Sequence, residues 1–250
     1  MKKLLILVIL TLVCKSLSLA QEGVIIYEQK INMHRNALVV NGQDMRSMMP
    51  EFRINKMQLL FNANESLYKN LEDESTDEVS NTNGMTFRMT RPKNETYNNF
   101  KEGQRIQQRE FMSKKFLIKG EIQQTPWKVS GEMEEVAGYN CMKATMTDTN
   151  PNGDIRNIAA WFTTDIPVAA GPETFGSLPG LILKLDINEG ETVYTALSID
   201  KRTLKKDELE VPSKGKEMTE EEFREMVQEQ MKQMGGTPGG GQRMIIRGGQ

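Results

Sequence analysis

Short runs in which apolar and polar residues alternate recur along the chain, and Gly, Asn, Asp or Pro ends each run. Alternation with a period of two is typical of a strand that buries one face. Short turns between successive strands favour antiparallel pairing. The pattern therefore predicts a mainly β fold, with an antiparallel, curved sheet. The predicted strands span residues 24–31, 56–61, 86–90, 105–112, 115–118, 139–147, 155–163, 181–187 and 192–199.

The segments between these runs predict turns and loops. Residues 150–153 read Asn-Pro-Asn-Gly and predict a hairpin turn, because Pro fixes φ while Asn and Gly accept left-handed geometry. Residues 81–84 predict a second turn, and the acidic stretch 71–78 predicts a solvated loop. Residues 36–53 have no clear period, and we interpret them as a loop that holds a helical turn.

The last fifty residues differ in composition from the rest of the chain. Residues 201–216 are densely charged and predict a linker, and Thr219 followed by Glu222 is a capping-box signature at the start of a helix over 217–236. One face of this helix is apolar, so it either caps the sheet or docks on a partner. A Gly-rich tail follows at 237–250. The apolar positions are Phe223, Met226, Val227, Met231 and Met234.

The first twenty residues have the pattern of a cleavable secretory signal. Lys2 and Lys3 precede an apolar run from residue 4 to residue 9, and Ser18-Leu19-Ala20 supplies small residues for cleavage. The apolar run is shorter than the roughly 20 residues that span a bilayer, and we expect no transmembrane segment after cleavage. The sequence predicts an exported protein, in the periplasm, associated with the outer membrane or extracellular, whose β-rich domain spans 21–200.

Charge argues against nucleic acid as a partner. The formal net charge is −2 for the whole chain, and loss of the three lysines of the signal makes it more negative. A nucleic-acid-binding protein needs a basic surface to neutralise phosphates. The partner expected here is an unknown envelope protein or a small ligand.

Methionine is unusually frequent, with 17 residues among 250. Met142 and Met146 stand beside Cys141, and thioether and thiolate ligands select Cu(I) in an exported protein. The hypothesis is a copper(I) site at Cys141, Met142 and Met146. Core packing explains the same residues, because methionine fills irregular gaps and a cysteine in a strand is commonly a small buried apolar residue.

The stretch from Asp165-Ile166-Pro167 through Gly171-Pro172 to Leu178-Pro179-Gly180-Leu181-Ile182 is the most distinctive part of the sequence. With this stretch, the chain resembles the GLPGLI proteins, exported bacterial proteins found largely in Bacteroidetes. Ser177 stands where the naming hexapeptide has its first glycine. The resemblance implies an exported protein without an established activity. The other matching features are Tyr27, Gly138-Tyr139 before Cys141, Lys143-Ala144, and Trp161 before the Ile-Pro pair.

This stretch has a structural and a functional interpretation. Pro179 and Gly180 suit the central positions of a type II turn, in which the third residue has positive φ. The turn would form a rigid corner before the alternating run 181–187, with Trp161 covering its buried face. Alternatively, the stretch forms a rim that contacts a ligand or partner. The predicted rim residues are Trp161, Pro167, Gly171, Pro172, Pro179 and Gly180.

Catalytic motifs are not recognisable in the sequence. His34 is the only histidine, and no Ser, Cys or paired acid stands at a known spacing from it. Asp148, Asp165 and Asp186 lie at predicted turns or strands, where acids are common for local reasons. The sequence thus predicts no enzyme but an exported, non-enzymatic envelope protein that binds a ligand or partner. A copper(I)-binding protein and a hydrolase-type enzyme are the alternatives.

Overall fold

The computed structural model describes residues 22–35, 39–40, 43–44, 46, 50–71, 77–82, 85–90, 92–149, 155–233 and 245–247. In these segments no helix combines the length and the apolar character that crossing a bilayer requires. The predicted signal, the turn at 150–153 and most of 36–49 and 234–250 lie outside the described residues. The strands are β1 (Gly23–Asn32), β2 (Val39–Val40), β3 (Gln43–Asp44), β4 (Phe52–Phe61), β5 (Glu65–Asn70), β6 (Asp77–Thr82), β7 (Met85–Thr90), β8 (Glu95–Asn99), β9 (Gln104–Phe111), β10 (Lys114–Glu121), β11 (Lys128–Val136), β12 (Tyr139–Thr149), β13 (Ile155–Thr163), β14 (Leu181–Ile187), β15 (Thr192–Asp200), β16 (Lys216–Met218) and β17 (Ile245–Arg247).

One large sheet dominates the described part of the chain. Twelve strands pair in the order β11-β12-β13-β14-β15-β1-β4-β5-β8-β9-β10-β16. Every pairing in it is antiparallel except that of β10 with β16 at the edge. The strands β17, β7 and β6 form a separate ladder, and β2 pairs with β3. The predicted mainly β, antiparallel architecture is confirmed.

Four strands of the large sheet were not predicted from the sequence: β5, β8, β11 and β16, the last of which lies where the linker and the start of the helix were expected. β5 and β8 are short, and polar residues occupy many of their positions. β11 is long but mostly exposed, so it lacks the apolar alternation that marks a buried face. These strands form because their neighbours offer unpaired backbone groups, which the local pattern does not reveal. β6 also extends to Thr82, into the predicted turn at 81–84.

Each face of the sheet has its own apolar cluster. Leu59 and Leu60 follow each other on β4, point to opposite faces, and belong to different clusters. The larger cluster lies under residues 164–180, the connection between β13 and β14, which we call the crossing segment. The smaller cluster is covered by Leu204 and Leu209 from the charged stretch that follows β15. The crossing segment contributes Ile166, Val168, Ala170, Phe175 and Leu178 to the larger cluster.

The C-terminal helix α1 (Glu220–Gln233) begins at the predicted capping box. The Glu222 amide donates to the Thr219 hydroxyl at 3.2 Å, and the Thr219 amide donates to the Glu222 carboxylate at 2.7 Å. The Phe223 ring meets the Phe116 ring of β10 edge to face, with 5.5 Å between centroids. The start of the helix therefore packs on the sheet, as expected if the helix covers the sheet instead of docking on a partner. The side chain of Met231 and all of Met234 lie outside the described residues.

Candidate functional site

The face under the crossing segment changes from apolar to polar along its strands. On β4, Met57, Leu59 and Phe61 continue the apolar core, while Arg53 and Asn55 share their face at the other end of the strand. On β1, Gln29 pairs with Asn55 on one side and with Tyr194 of β15 on the other. The register thus places three polar side chains next to one another on a covered surface.

A continuous series of hydrogen bonds joins these residues to the crossing segment. Asn55 Nδ2 donates to Gln29 Oε1 at 2.7 Å, and Gln29 Nε2 donates to the Tyr194 hydroxyl at 2.9 Å. The Tyr194 hydroxyl in turn donates to Glu173 Oε1. Every donor points the same way, and the series ends on a carboxylate. We call this series the Asn55–Glu173 relay.

Three residues of the relay, Asn55, Gln29 and Glu173, line a cavity of about 200 Å³, which we call the Glu173 cavity. The lining residues come from β1, β4, β5, the β8–β9 region and the crossing segment. In a flat sheet, the four strand spacings from β1 to β9 would measure about 19 Å. Residues of these strands line one small cavity because the sheet curves around it. The lining residues are Gln29, Ile31, Arg53, Asn55, Met57, Tyr68, Asn70, Pro92, Asn94, Thr96, Arg109 and Glu173.

Three lining residues, Tyr68, Asn55 and Arg53, carry a buried polar atom that forms no hydrogen bond, which in Arg53 is Nε. Tyr68 is 3% exposed and Asn55 is 7% exposed, and neither the Tyr68 hydroxyl nor Asn55 Oδ1 has a partner. An unsatisfied buried polar group costs about 1–3 kcal/mol. Such groups are rare in proteins, and their retention at a cavity wall points to a role there.

The cavity combines both signs of charge. Arg53 and Arg109 lie on its walls, and Glu173 is the one carboxylate among the described residues that line it. Burial, followed by the neighbouring Glu173 carboxylate, raises the pKa of Tyr194 well above its usual value. The pKa of Tyr68 is also raised well above its usual value, mainly by burial and then by the nearby Tyr194 and Glu173. Both tyrosines are therefore neutral hydroxyls at physiological pH.

The backbone around Glu173 is firmly held. Glu173 has a φ of 53°, a left-handed conformation that is uncommon for a residue other than Gly, Asn or Asp. Arg105 Nη2 of β9 donates to the carbonyl of Thr174 at 2.8 Å, and Trp127 Nε1 donates to that of Gly176 at 2.8 Å. Strained residues that surrounding contacts hold in place occur frequently at functional sites.

A second concavity, the Trp161 groove, lies among β12, β13 and β14 and has a volume of about 590 Å³. Lys184 Nζ lies 4.3 Å from the Trp161 ring centre, and Lys143 Nζ lies 5.7 Å away. Both lysines also pair with glutamates of β11, Lys184 with Glu134 and Lys143 with Glu132. The groove is larger than the Glu173 cavity, and Lys143 in its lining already pairs with a glutamate.

The predicted rim residues do not share one surface. Gly171, Pro172 and Gly180 are buried, Pro167 and Pro179 are exposed, and Trp161 lies in its own groove. A Cβ at Gly180 would lie 2.1 Å from the Thr163 carbonyl oxygen. The expected positive φ at Gly180 is wrong: Ser177 has the left-handed conformation, with a φ of 65°. Gly180 is thus needed for close backbone approach.

The residues of the predicted copper site lie in β12 and belong to the core. Cys141 is fully buried in the larger apolar cluster, and Met142 and Met146 pack against that cluster. Burial raises the pKa of the Cys141 thiol to about 11. In the described part of the chain, no three His, Cys, Asp or Glu residues form a metal-binding group, and copper binding stays a prediction.

The acids and the histidine that the sequence analysis weighed have local contacts. Asp148 pairs with Arg156, and Asp186 Oδ1 accepts a hydrogen bond from the Gly190 amide at 2.7 Å. The amide of Asp165 donates to Thr163 Oγ1 at 3.3 Å, and the amide of His34 donates to Asn32 Oδ1 at 3.0 Å. None of these four residues lines the Glu173 cavity.

Comparison with known proteins gives the chain a family. Residues 60–223, more than half of the chain, match the model of the N-glycanase peptide, N-terminal domain. The chain belongs to this N-glycanase N-terminal domain family. The matched region runs from the end of β4 into α1 and includes Tyr68, Arg109, Glu173 and Tyr194. No curated protein matches the chain.

Two solved structures of PNGF-II, determined in different space groups, share the fold. One has a TM-score of 0.55 and 20% identity, and the alignment covers 83% of this chain and 33% of that one. The other has a TM-score of 0.54 and 18% identity, with 82% and 32% covered. The chain thus spans about a third of the length of the PNGF-II chains.

The family match corrects three predictions. The resemblance to GLPGLI proteins is wrong, because the matching model is that of the N-glycanase N-terminal domain. The predictions of a non-enzymatic binding protein and of no enzyme are also wrong, since the family match to an N-glycanase domain favours the hydrolase alternative. The motif at 178–182 indicated the wrong family because its residues form a packed turn. Leu178, Leu181 and Ile182 are buried, and Gly180 lies against the Thr163 carbonyl. Membership of the N-glycanase N-terminal domain family agrees with the export that residues 1–20 predict.

Sequence reasoning missed the whole Glu173 cavity. A weak signal was present, because Gln29 and Asn55 are amides at positions in phase with buried apolar residues of their strands. Glu173 gave no such signal, since it lies in an irregular segment between glycines and prolines. More than a hundred residues separate Glu173 from Gln29 and Asn55 along the sequence. Only the path of the crossing segment brings them together.

Proposed function

We propose that the chain is an N-glycan-processing hydrolase of the N-glycanase type, and that the Glu173 cavity contacts its glycoprotein substrate. The observation that carries this proposal is the family match over residues 60–223. The fold likeness to PNGF-II supports it. Because the chain spans about a third of those proteins, the proposed activity also depends on the groups that this chain itself contains.

The composition of the cavity favours hydrolysis of an amide over hydrolysis of a bond between sugars. Glycoside hydrolysis commonly uses two carboxylates on either side of the scissile bond. Glu173 is the one carboxylate in the described lining of this cavity. Hydrolysis of the amide that joins a glycan to asparagine needs a base for water and donors for the developing oxyanion.

The proposed chemistry assigns a role to each charged group. The Glu173 carboxylate takes a proton from a water molecule that attacks the carbonyl carbon of the asparagine side chain. Arg109, whose Nε donates to Gln107 Oε1 at 2.7 Å, and the neighbouring Arg53 supply donors for the carbonyl oxygen. The carbon–nitrogen bond then breaks, the nitrogen leaves protonated with the sugar, and the asparagine becomes aspartate.

Tyr194 has a positioning role in this scheme. Its hydroxyl donates to Glu173 and accepts from Gln29. The relay holds the carboxylate in one orientation toward the cavity. Tyr194 does not line the cavity and acts through Glu173.

The test is glycan release from an N-glycosylated peptide by the exported form of the full chain. Mass spectrometry in water enriched in heavy oxygen should show a free glycan and a peptide that has gained one heavy oxygen as aspartate. Glu173→Gln should abolish release. Glu189→Gln is the matched control, because Glu189 has a similar left-handed φ of 50° and lines the Trp161 groove. Absence of release by the unaltered chain would contradict the proposal.

Export to the periplasm or the outer surface is part of the same proposal. A hydrolase of glycoproteins works where such proteins are accessible, and residues 1–20 predict a secretory signal. Fractionation of the producing cells should place the chain in the periplasmic, outer-membrane or extracellular fraction. Retention in the cytoplasm would contradict this assignment.

A further inference from the structure

The hydrogen-bonding groups that remain free in the Glu173 cavity indicate what kind of molecule binds there. In the Asn55–Glu173 relay, each hydrogen bond is donated in the direction of Glu173. An acceptor therefore remains at each end of the relay. At one end is Asn55 Oδ1, which has no partner, and at the other is the Glu173 carboxylate. An occupant that satisfies both ends must present several O–H or N–H donors.

Two other lining residues can bond to acceptors of the same occupant. Arg109 is a multiple donor that lines the cavity, and the Tyr68 hydroxyl is both a donor and an acceptor without a partner. The volume of about 200 Å³ is sufficient for about six water molecules at their liquid volume. A compact ring with donors and acceptors around its edge fits these requirements better than an extended chain or an apolar molecule.

We infer that the Glu173 cavity is a binding site for a single sugar ring, whose hydroxyl groups bond to the Tyr68 hydroxyl, Asn55 Oδ1 and the Glu173 carboxylate. This inference rests on the proposed function, because it assigns the cavity to one sugar unit of the glycan substrate. It goes further by assigning sugar recognition to the Tyr68 hydroxyl and to Asn55 Oδ1, two atoms that take no part in the relay.

The unsatisfied Tyr68 hydroxyl makes a decisive variant possible. Tyr68→Phe removes one oxygen that forms no hydrogen bond within the protein. Its removal relieves a buried unsatisfied group and should raise Tm by about 2–4 °C. The same change should weaken sugar binding about threefold to tenfold, because the occupied site loses one hydrogen bond.

Tyr97→Phe is the matched control. Tyr97 lies in the neighbouring strand β8, is also 3% exposed, and belongs to the cluster on the other face of the sheet. Its hydroxyl donates to Glu65 Oε1 at 2.7 Å. Removing this satisfied hydroxyl should lower Tm and leave sugar affinity unchanged, so the two substitutions have opposite expected effects on stability.

The experiment measures binding of N-acetylglucosamine by NMR titration to the unaltered full chain and to both variants, together with their Tm values. Higher Tm and weaker binding for Tyr68→Phe alone would support the inference. No binding to the unaltered chain, unchanged affinity of Tyr68→Phe, or a lower Tm of that variant would overturn it. A lower Tm would mean that bound water satisfies the hydroxyl, which then has a structural role.

The outcomes of this experiment and of the glycan-release assay can be separated. Glycan release without sugar binding at the cavity would overturn the sugar site and leave the hydrolase proposal standing. Sugar binding that Tyr68→Phe weakens, without glycan release, would support the sugar site and contradict the hydrolase proposal. Both readouts use the same purified protein.

Discussion

The hydroxyl of Tyr194 donates a hydrogen bond to the carboxylate of Glu173, and this contact attaches an irregular segment to the centre of the large sheet. Tyr194 is 1% exposed and also accepts a hydrogen bond from Gln29. One hydroxyl therefore satisfies a donor on β1 and orients a carboxylate in the cavity. The position of Glu173 depends on this contact together with the bond from Arg105 to Thr174.

Replacement of Tyr194 by Phe should destabilise the protein. The substitution leaves Gln29 Nε2 without its acceptor and Glu173 without a donor, and we expect unfolding to become easier by about 1–3 kcal/mol. Urea unfolding measures this loss as a lower midpoint with an unchanged slope. Tyr68→Phe removes an equally buried hydroxyl without partners and should shift the midpoint the other way. Equal shifts for the two variants would contradict the relay.

Replacement of Gly180 by Ala should be among the most damaging small changes in the chain. The added Cβ would lie 2.1 Å from the Thr163 carbonyl oxygen and 2.7 Å from its carbon, so the backbone must shift. We expect a loss of about 3 kcal/mol or more. Gly131→Ala in β11 is the control, because no atom lies within 4 Å of a Cβ there. Thermal unfolding of both variants measures the difference, and similar Tm values would show that the corner adjusts.

Replacement of Ser177 by Gly should stabilise the protein. Ser177 has a φ of 65°, and a left-handed conformation costs a residue with a Cβ about 1–2 kcal/mol relative to Gly. The greater freedom of Gly in the unfolded chain and the lost 3.4 Å contact of Ser177 Oγ with Gln123 reduce the net gain to about 0.5–1 kcal/mol. Ser198→Gly in β15 should instead cost about 0.5–1 kcal/mol. Chemical denaturation that ranks the two variants in the reverse order would refute this account of the turn.

The buried thiol of Cys141 should make stability depend on alkaline pH. Burial raises its folded-state pKa from 9.0 to about 11, so the unfolded chain loses this proton at lower pH than the folded chain does. The contribution of the neutral thiol is fully present below pH 9.0 and is lost as pH rises through about 11. Urea unfolding of the unaltered chain and of Cys141→Ala should differ in slope with pH over this window. Parallel profiles would contradict burial of the thiol.

The same residue bears on the copper hypothesis. A thiol with 0% exposure should react with a thiol reagent only after the protein opens. Cu(I) binding at Cys141, Met142 and Met146 would therefore require the core at β12 to rearrange. Competition with a Cu(I) chelator measures whether that happens, and a failure to compete would end the hypothesis.

The alternation of apolar residues correctly predicted the central strands because their burial is a property of consecutive positions. β1, β4, β14 and β15 each have an apolar face, and that face remains apolar wherever the strand packs. The capping box at Thr219 and Glu222 was equally readable, since its hydrogen bonds join residues three apart. Local chemistry of this kind needs no knowledge of the rest of the chain.

The polar strands and the cavity could not be found in that way. β11 forms because it pairs with the open edge of β12. The residues of β11 themselves show little alternation in burial. Likewise, Glu173 becomes a candidate catalytic group only because Tyr194, Gln29 and Asn55 lie beside it in the folded protein.

The division between these two kinds of feature has a physical cause. Export, the mainly β architecture, the helix start and the apolar core follow from interactions within a few residues or from the period of one strand, and both are present in the sequence. The role of a polar residue depends on its partners, and the partners here come from five strands and a connection that crosses them. Sheet curvature and the path of residues 164–180 place those partners around one cavity, and they arise from packing of the whole chain.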